Sequence, residues 1–213
     1  NIEVRISTKA TFIEVAANTE KTEFLVHLQS GESIRASQVV NSSWENVDAL
    51  NQSIGIPFVE NARSNRLKAI ITVELPPPLL ETPTVFFAIG PHMTMTNLGN
   101  GFGKIIYEPI NDTASTALSL PDNYQRLTTI GPTAEEREHY EQRILNGAIT
   151  YIPALRGATI TSLDFGIVQT KGTVNINDAK SSIHSRRGLG AERGIIGFTV
   201  NRCMKLLHFE KNA

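Results

Sequence analysis

His92 and Tyr107 are the side chains whose type and setting best suit proton chemistry. His92 stands in Ile89-Gly90-Pro91-His92-Met93-Thr94, at the end of a strand-like run. An imidazole there can bind an acidic substrate or move a proton near neutral pH. A hydrogen-bonded loop histidine is the competing reading, for His92 as for His184 and His208. Tyr107 and Tyr151 can each present a hydroxyl to a pocket, and each equally suits a buried aromatic position. Met93, Met95 and Met204 read as packing residues. Gly99-Asn100-Gly101-Phe102-Gly103-Lys104 invites a phosphate-loop reading. It matches neither GxGxxG nor GxxxxGK with a following Ser or Thr, and a strand rather than a helix follows. It is read as a glycine-rich hairpin. No GxSxG and no Cys–His nucleophile arrangement is present. One Cys and five dispersed His show no ligand spacing, so no metal site is expected.

These groups must be positioned by a globular framework. The 213 residues are 40% apolar and 19% charged, enough for a proper core in one large or two small domains. A net charge of −1 supplies no basic field for nucleic acid or acidic lipid. The Arg186-Arg187 pair reads as a solvated loop. The apolar run Thr84-Val85-Phe86-Phe87-Ala88-Ile89 falls far short of the ~20 residues that span a bilayer. The lone Cys203 excludes an internal disulfide and fits a reducing, cytoplasmic compartment. The chain opens without Met inside an alternating Ile2, Val4, Ile6 pattern and ends just past an apolar run. Both features predict a segment of a longer protein, entered in mid-strand.

Strand-like runs at Phe12–Val15 and Phe24–Leu28 are followed by a hairpin turn at Ser30-Gly31-Glu32. The returning strand is expected to carry Ile34 and then Val39-Val40. Ser42 or Ser43 is expected to cap a short helix with Val47, Leu50 and Ile54 on one face, ended by Gly55-Ile56-Pro57. Leu67–Leu75 is the strongest strand and Pro76-Pro77-Pro78 closes it. Strands over Val85–Ile89 and Phe102–Tyr107 flank a turn, as in an antiparallel meander. Thr133-Ala134-Glu135-Glu136 is a capping box opening a helix through Tyr140, Ile144 and Leu145, stopping at Gly147. Residues 159–176 read as strand, and 194–209 as strand followed by helix. The class is α+β.

The order of segments carries a resemblance. Thr8-Lys9-Ala10-Thr11-Phe12-Ile13, then Gly31-Glu32 to Val39-Val40-Asn41-Ser42-Ser43-Trp44, resembles the closing part of a flavin-binding Rossmann domain. The family is that of FAD-dependent oxidoreductases of the D-amino-acid oxidase, glycine oxidase and L-2-hydroxyglutarate dehydrogenase-like superfamily. Its "V-x-x-I" adenine-contact strand places Ala10 at the contact position. Its "VV-x-A-x-G-x-W" strand end places Asn41, Ser42, Ser43 and Trp44 near the flavin, with Ser43 where the family has Gly. Arg66-Leu67-Lys68-Ala69-Ile70 resembles the first strand of the antiparallel substrate domain, and Tyr151-Ile152-Pro153-Ala154-Leu155 its "Y-x-P-x-L" return. Phe165-Gly166-Ile167-Val168-Gln169-Thr170 resembles "A-G-x-R-x-Q", with Val168 in place of the Arg that meets a substrate carboxylate.

The resemblance implies an α/β cofactor-domain remnant plus an antiparallel-sheet substrate domain. Residues 1–50 would finish the FAD-binding domain, 51–160 form the substrate domain, and 161–213 return to the cofactor domain. It implies FAD as cofactor in the full-length protein, with a GxGxxG upstream of Asn1. A small amino- or hydroxy-acid-like substrate would be oxidised by hydride transfer to flavin. His92 and Tyr107 become substrate-facing candidates, Lys68 an anion or flavin contact, and Ala10, Ser42, Ser43 and Trp44 cofactor contacts. The segment alone is expected to be inactive, and to self-associate through apolar surface that otherwise faces the missing unit. The rival readings are a non-enzymatic module binding a small ligand or a partner protein, and a hydrolase.

Overall fold

The computed structural model describes residues 2–18, 21–59, 63–87, 93–110, 112–115, 120–171 and 191–201. The chain forms two compact units, Asn1–Glu60 with Arg186–Ala213, and Asn61–Ser185. The expected divisions stand at 50 and 160. Unit one supplies β1 (Ala10–Asn18), β2 (Lys21–Leu28), β3 (Ser33–Ala36), β4 (Val39–Asn41) and α1 (Val47–Ser53). Unit two supplies β5 (Arg63–Glu74), β6 (Val85–Phe87), β7 (Met93–Gly99), β8 (Phe102–Tyr107), β9 (Asp112–Ser115), α2 (Asp122–Thr129), α3 (Ala134–Ile149) and β10 (Thr159–Lys171). The chain then returns to unit one with β11 (Ala191–Ile195) and β12 (Phe198–Asn201). His92, His184, Cys203, Met204, His208, Arg186, Arg187 and the helix expected after 201 lie outside the described residues.

In unit one, β1, β2 and β3 form an antiparallel sheet. A second sheet runs β11-β12-β4, with β12 antiparallel to β11 and parallel to β4. Ile13, Phe24, Val47, Leu50, Phe198 and Val200 form the core beneath them. Val47 and Leu50 share a helix face because they are three residues apart. Three expectations change here. Val39-Val40 does not continue the returning strand; β3 stops at Ala36 and β4 joins the other sheet through Val39 N–H donating to Gly197 O at 2.8 Å. Neither serine caps the helix: a 3₁₀ turn at Trp44–Asn46 intervenes, and α1 begins without a side-chain cap bond. Ile2, Val4 and Ile6 precede the first strand and are 79–92% exposed. Alternation specifies a strand only where a core face rewards it.

Unit two is built on a six-stranded antiparallel sheet ordered β10-β5-β8-β7-β6, with β9 also paired to β5. β10 pairs with β5 from Thr159↔Glu74 to Lys171↔Arg63, which keeps residues 161–171 in this sheet. Pro77–Leu79 turns once as a 3₁₀ helix and ends β5, as three prolines require. The neighbour of β8 is not β6 but β7, whose Met93 and Met95 are fully buried. The glycine-rich segment is indeed the β7–β8 hairpin. Asn100 and Gly101 both take positive φ, 48° and 86°, the requirement of a two-residue Asn-Gly turn.

The two faces of this sheet differ. Ala69, Ile71, Val73, Met93, Met95 and Ile105 face α3 and its Ile144 and Ala148. Leu67 and Ile167 pack on Tyr124 and Leu127 of α2, a helix the sequence pattern did not single out. The capping box is formed: Glu136 N–H donates to Thr133 Oγ at 3.2 Å, and Thr133 N–H donates to Glu136 Oε2 at 2.8 Å. α3 does not stop at Gly147 but runs two residues further, to Ile149. Gly147 is needed for close approach instead, since a Cβ there would penetrate the Tyr107 ring. Gly147→Val should therefore cost about 1–3 kcal/mol through overpacking, read as a lower urea midpoint at unchanged slope.

Arg126 of α2 grips Glu136 of α3 with both terminal nitrogens, at 2.5 and 3.0 Å. This hydrogen bond, then the Thr133 N–H, holds the Glu136 carboxyl below the usual carboxylate range. A depressed folded-state pKa contributes stability above the unfolded pKa and loses it as pH falls through the folded value. Glu136→Gln is expected to flatten the acid limb of Tm against pH while leaving the slope above pH ~7 unchanged.

Candidate functional site

On β5 the alternation of side chains sends Leu67, Ala69 and Ile71 to the helices and Arg66 and Lys68 to the opposite face. Both cations converge on Glu108, from the 3₁₀ turn Glu108–Ile110 that follows β8 and is anchored by buried Ile110. Arg66 Nη2 donates to Glu108 Oε2 at 2.5 Å, and Lys68 Nζ donates to Glu108 Oε1. The side chains of Arg66, Lys68 and Glu108 are only 5%, 18% and 14% exposed. Arg66 Nε is buried without a hydrogen-bond partner. Ion pairs in such a setting are strong only when every member is satisfied, and this one is not.

Lys68 thus falls within a charged cluster, whereas Arg66 and Glu108 were missed as site residues. The alternation Arg66-Leu67-Lys68-Ala69 in an otherwise apolar strand was the signal for Arg66. Nothing in the sequence marks Glu108, which arrives from 40 residues away. Val168, where the resembled motif carries Arg, pairs in register with Arg66. Tyr107 lies on the helix-covered face, with its ring against Gly147. Tyr151 stacks at 4.9 Å and a tilt of 56° on Phe87. His92 lies outside the described residues.

The second candidate region is the end of β4 in unit one. Buried Asn41 ties strand, turn and helix together: its Nδ2 donates to Val47 O at 3.0 Å and Asn51 Oδ1 at 2.9 Å. Its Oδ1 accepts from Ser43 N–H at 3.2 Å and Ser43 Oγ at 2.6 Å. Ser42 and Trp44 are exposed at this corner, and Trp44 has φ +57°, a backbone state rare for a bulky side chain. Because β4 and β12 are parallel, the corner is the carboxyl end of a parallel strand pair, where open α/β sheets bind ligands. Ala10 opens β1 and packs at the margin of the unit-one core. A groove of about 470 Å³ runs along Val39, Val40 and Ile195–Thr199, and none of the described residues lining it is titratable. Among the described residues no group of three His, Cys, Asp or Glu could hold a metal ion, and no helix is long and apolar enough to cross a membrane.

No family model and no curated protein matches the chain. Solved structures do share its fold. Iminodiacetate oxidase from Chelativorans sp. BNC1 is 15% identical, covering 89% of this chain and 42% of its own, with a TM-score of 0.51. L-proline dehydrogenase from P. horikoshii is 14% identical, covering 88% and 43%, at 0.54. Glycerol-3-phosphate dehydrogenase from Bacillus halodurans, solved in complex with FAD, is 15% identical, covering 96% and 36%, at 0.53. The chain therefore spans less than half the length of each. The likeness is one of fold, and it is the fold that the resemblance to the D-amino-acid oxidase superfamily implied.

Asn41→Ala should remove the side-chain bonds to Val47 O, Asn51 Oδ1 and Ser43 from the interior and cost about 1–3 kcal/mol. Urea denaturation checks this, and Asn41→Asp, which sets a buried carboxylate oxygen against Val47 O and Asn51 Oδ1, should lose at least as much.

Proposed function

We propose that this chain is part of a FAD-dependent oxidoreductase that oxidises a small amino- or hydroxy-acid-like substrate. The observation that carries this is the shared fold with oxidases and dehydrogenases, one of them FAD-bound, over 88–96% of the chain. In this reading unit one belongs to the cofactor domain and unit two is the substrate domain. FAD, when bound, supplies the hydride acceptor. The exposed Ser42 and Trp44 corner, fixed by Asn41, would contact the flavin side of that cofactor, and Ala10 its adenine end. The short side chain at Ala10 and the half-buried hydroxyl of Ser43 suit close approach of a flat ligand.

Lys68 offers a cation to an anionic group, and the lone Cys203 fits a reducing, cytoplasmic setting. The chain has no GxGxxG turn of its own, and pyrophosphate binding needs such a turn at a helix N-terminus. The reading therefore expects no turnover from these residues by themselves. The test is the visible absorption of the complete gene product, purified as expressed, beside this chain. Oxidised-flavin bands in the former and none in the latter are expected, with bleaching by the true substrate. A complete product that stays colourless after incubation with FAD would sink the oxidoreductase reading and leave a ligand-binding sheet module.

A further inference from the structure

In unit one, three polar side chains meet across β1, β2 and β3: Glu14, His27 and Ser33. His27 stands opposite Phe12 on one side and Ser33 on the other. Glu14 lies two residues beyond Phe12, so pleating turns it to the same face. The opposite face carries Ile13, Phe24 and Val26 toward the core. The hairpin brings Ser33 and His27 close. Leu28 N–H donates to Glu32 O at 2.9 Å. The next pair, His27↔Ser33, is therefore a non-hydrogen-bonded one, in which facing side chains approach most nearly.

Ser33 Oγ lies 2.9 Å from His27 Nδ1. Glu14 Oε2 lies 3.4 Å from the other ring nitrogen, Nε2, which is shut off from solvent. One proton arrangement serves all three groups. With the ring proton on Nε2, facing the carboxylate, Nδ1 is an acceptor and the Ser33 hydroxyl donates to it. The Phe12 ring, 5.7 Å from the imidazole centre and tilted by 45°, braces it. Thr11 Oγ1 donates to His27 O at 3.2 Å and ties the backbone at this point. Ser33 itself is exposed, so its oxygen is open to a reagent.

We propose that Ser33, His27 and Glu14 form an acyl-transfer site that takes activated esters of small carboxylic acids. Nucleophile, base and orienting carboxylate are the parts this chemistry requires, and hydrogen-bond reach between them is its geometric test. Ser33 Oγ attacks the ester carbonyl carbon as His27 Nδ1 takes the hydroxyl proton. Glu14 steadies the imidazolium that forms. The carbon–oxygen bond to the alcohol then breaks, and the alcohol leaves with the proton from Nδ1. Water attacks the acyl-serine, giving its proton to Nδ1, which returns it to Ser33 Oγ as the acid departs. The Ser33 N–H points away from β2, because its pair is a non-hydrogen-bonded one, and can donate to the carbonyl oxygen as that atom gains charge. This is a second activity beside oxidation. It needs no cofactor and no residue of unit two, so it stands apart from the flavin reading.

The experiment is addition of p-nitrophenyl acetate to the 213-residue chain. Nitrophenolate release is followed by absorbance, and the acetylated residue is found by peptide mass mapping. Rapid release with acetyl on Ser33 is expected, and Ser33→Ala should remove it. His27→Gln should slow it about a hundredfold or more, the range for loss of a general base. Glu14→Gln should slow it less, since the base remains. A fluorophosphonate, which caps activated serines, should label Ser33 in the unaltered chain and not in His27→Gln. Acetyl found only on lysines or on His27, or a rate unchanged in Ser33→Ala, would overturn the proposal. Circular dichroism of the variants separates lost chemistry from lost fold. If Ser33→Ala fails to fold, the fluorophosphonate on the unaltered chain still decides the question. None of these outcomes bears on the flavin spectrum of the complete gene product, so the two readings fail separately.

Discussion

β5 is bonded along both edges, and that double pairing organises everything in unit two. β10 runs beside its whole length on one side, while β8 and β9 share the other. A strand held on both edges cannot slip its register, because a shift of one residue would turn Ala69, Ile71 and Val73 out of the core. The same constraint fixes Arg66 and Lys68 on the face away from α2 and α3. The charged cluster with Glu108 is thus a consequence of the sheet's hydrophobic register.

Unit one depends on a smaller device. A three-residue parallel pairing between β4 and β12 would hold a chain reversal poorly by itself. Asn41 supplies the missing order by bonding the turn at Ser43 and the helix at Val47 and Asn51. Ser53 adds a tie in the other direction, its Oγ accepting from Ile13 N–H of β1 at 3.0 Å. The exposed Ser42 and Trp44 are carried on this corner, so their placement follows from buried polar contacts rather than from apolar packing.

Much of the local structure was legible. The Thr133 capping box, the Asn100-Gly101 hairpin, the proline stop after β5 and the Val47, Leu50 helix face each rest on contacts within a few residues. The errors arose where a distant partner overruled a local signal. Gly147 looks like a helix end, yet its lack of a Cβ serves the Tyr107 ring. Val39-Val40 looks like the tail of a hairpin, yet β12 captures it. β7 begins beside a Gly-Pro pair that hid a strand whose methionines are fully buried.

Of the site, the sequence by itself determined the strand that carries Lys68 and the strand–turn–helix order around Ser42 to Trp44. Strand alternation and turn chemistry are local, so residue types and spacing suffice to state them. Only the tertiary structure decided that Glu108 meets both cations, that Tyr107 faces α3, and that Val168 stands opposite Arg66. Those facts depend on which strands pair and in what register. That choice is made by the burial of whole faces over separations of tens of residues, beyond the reach of any short motif.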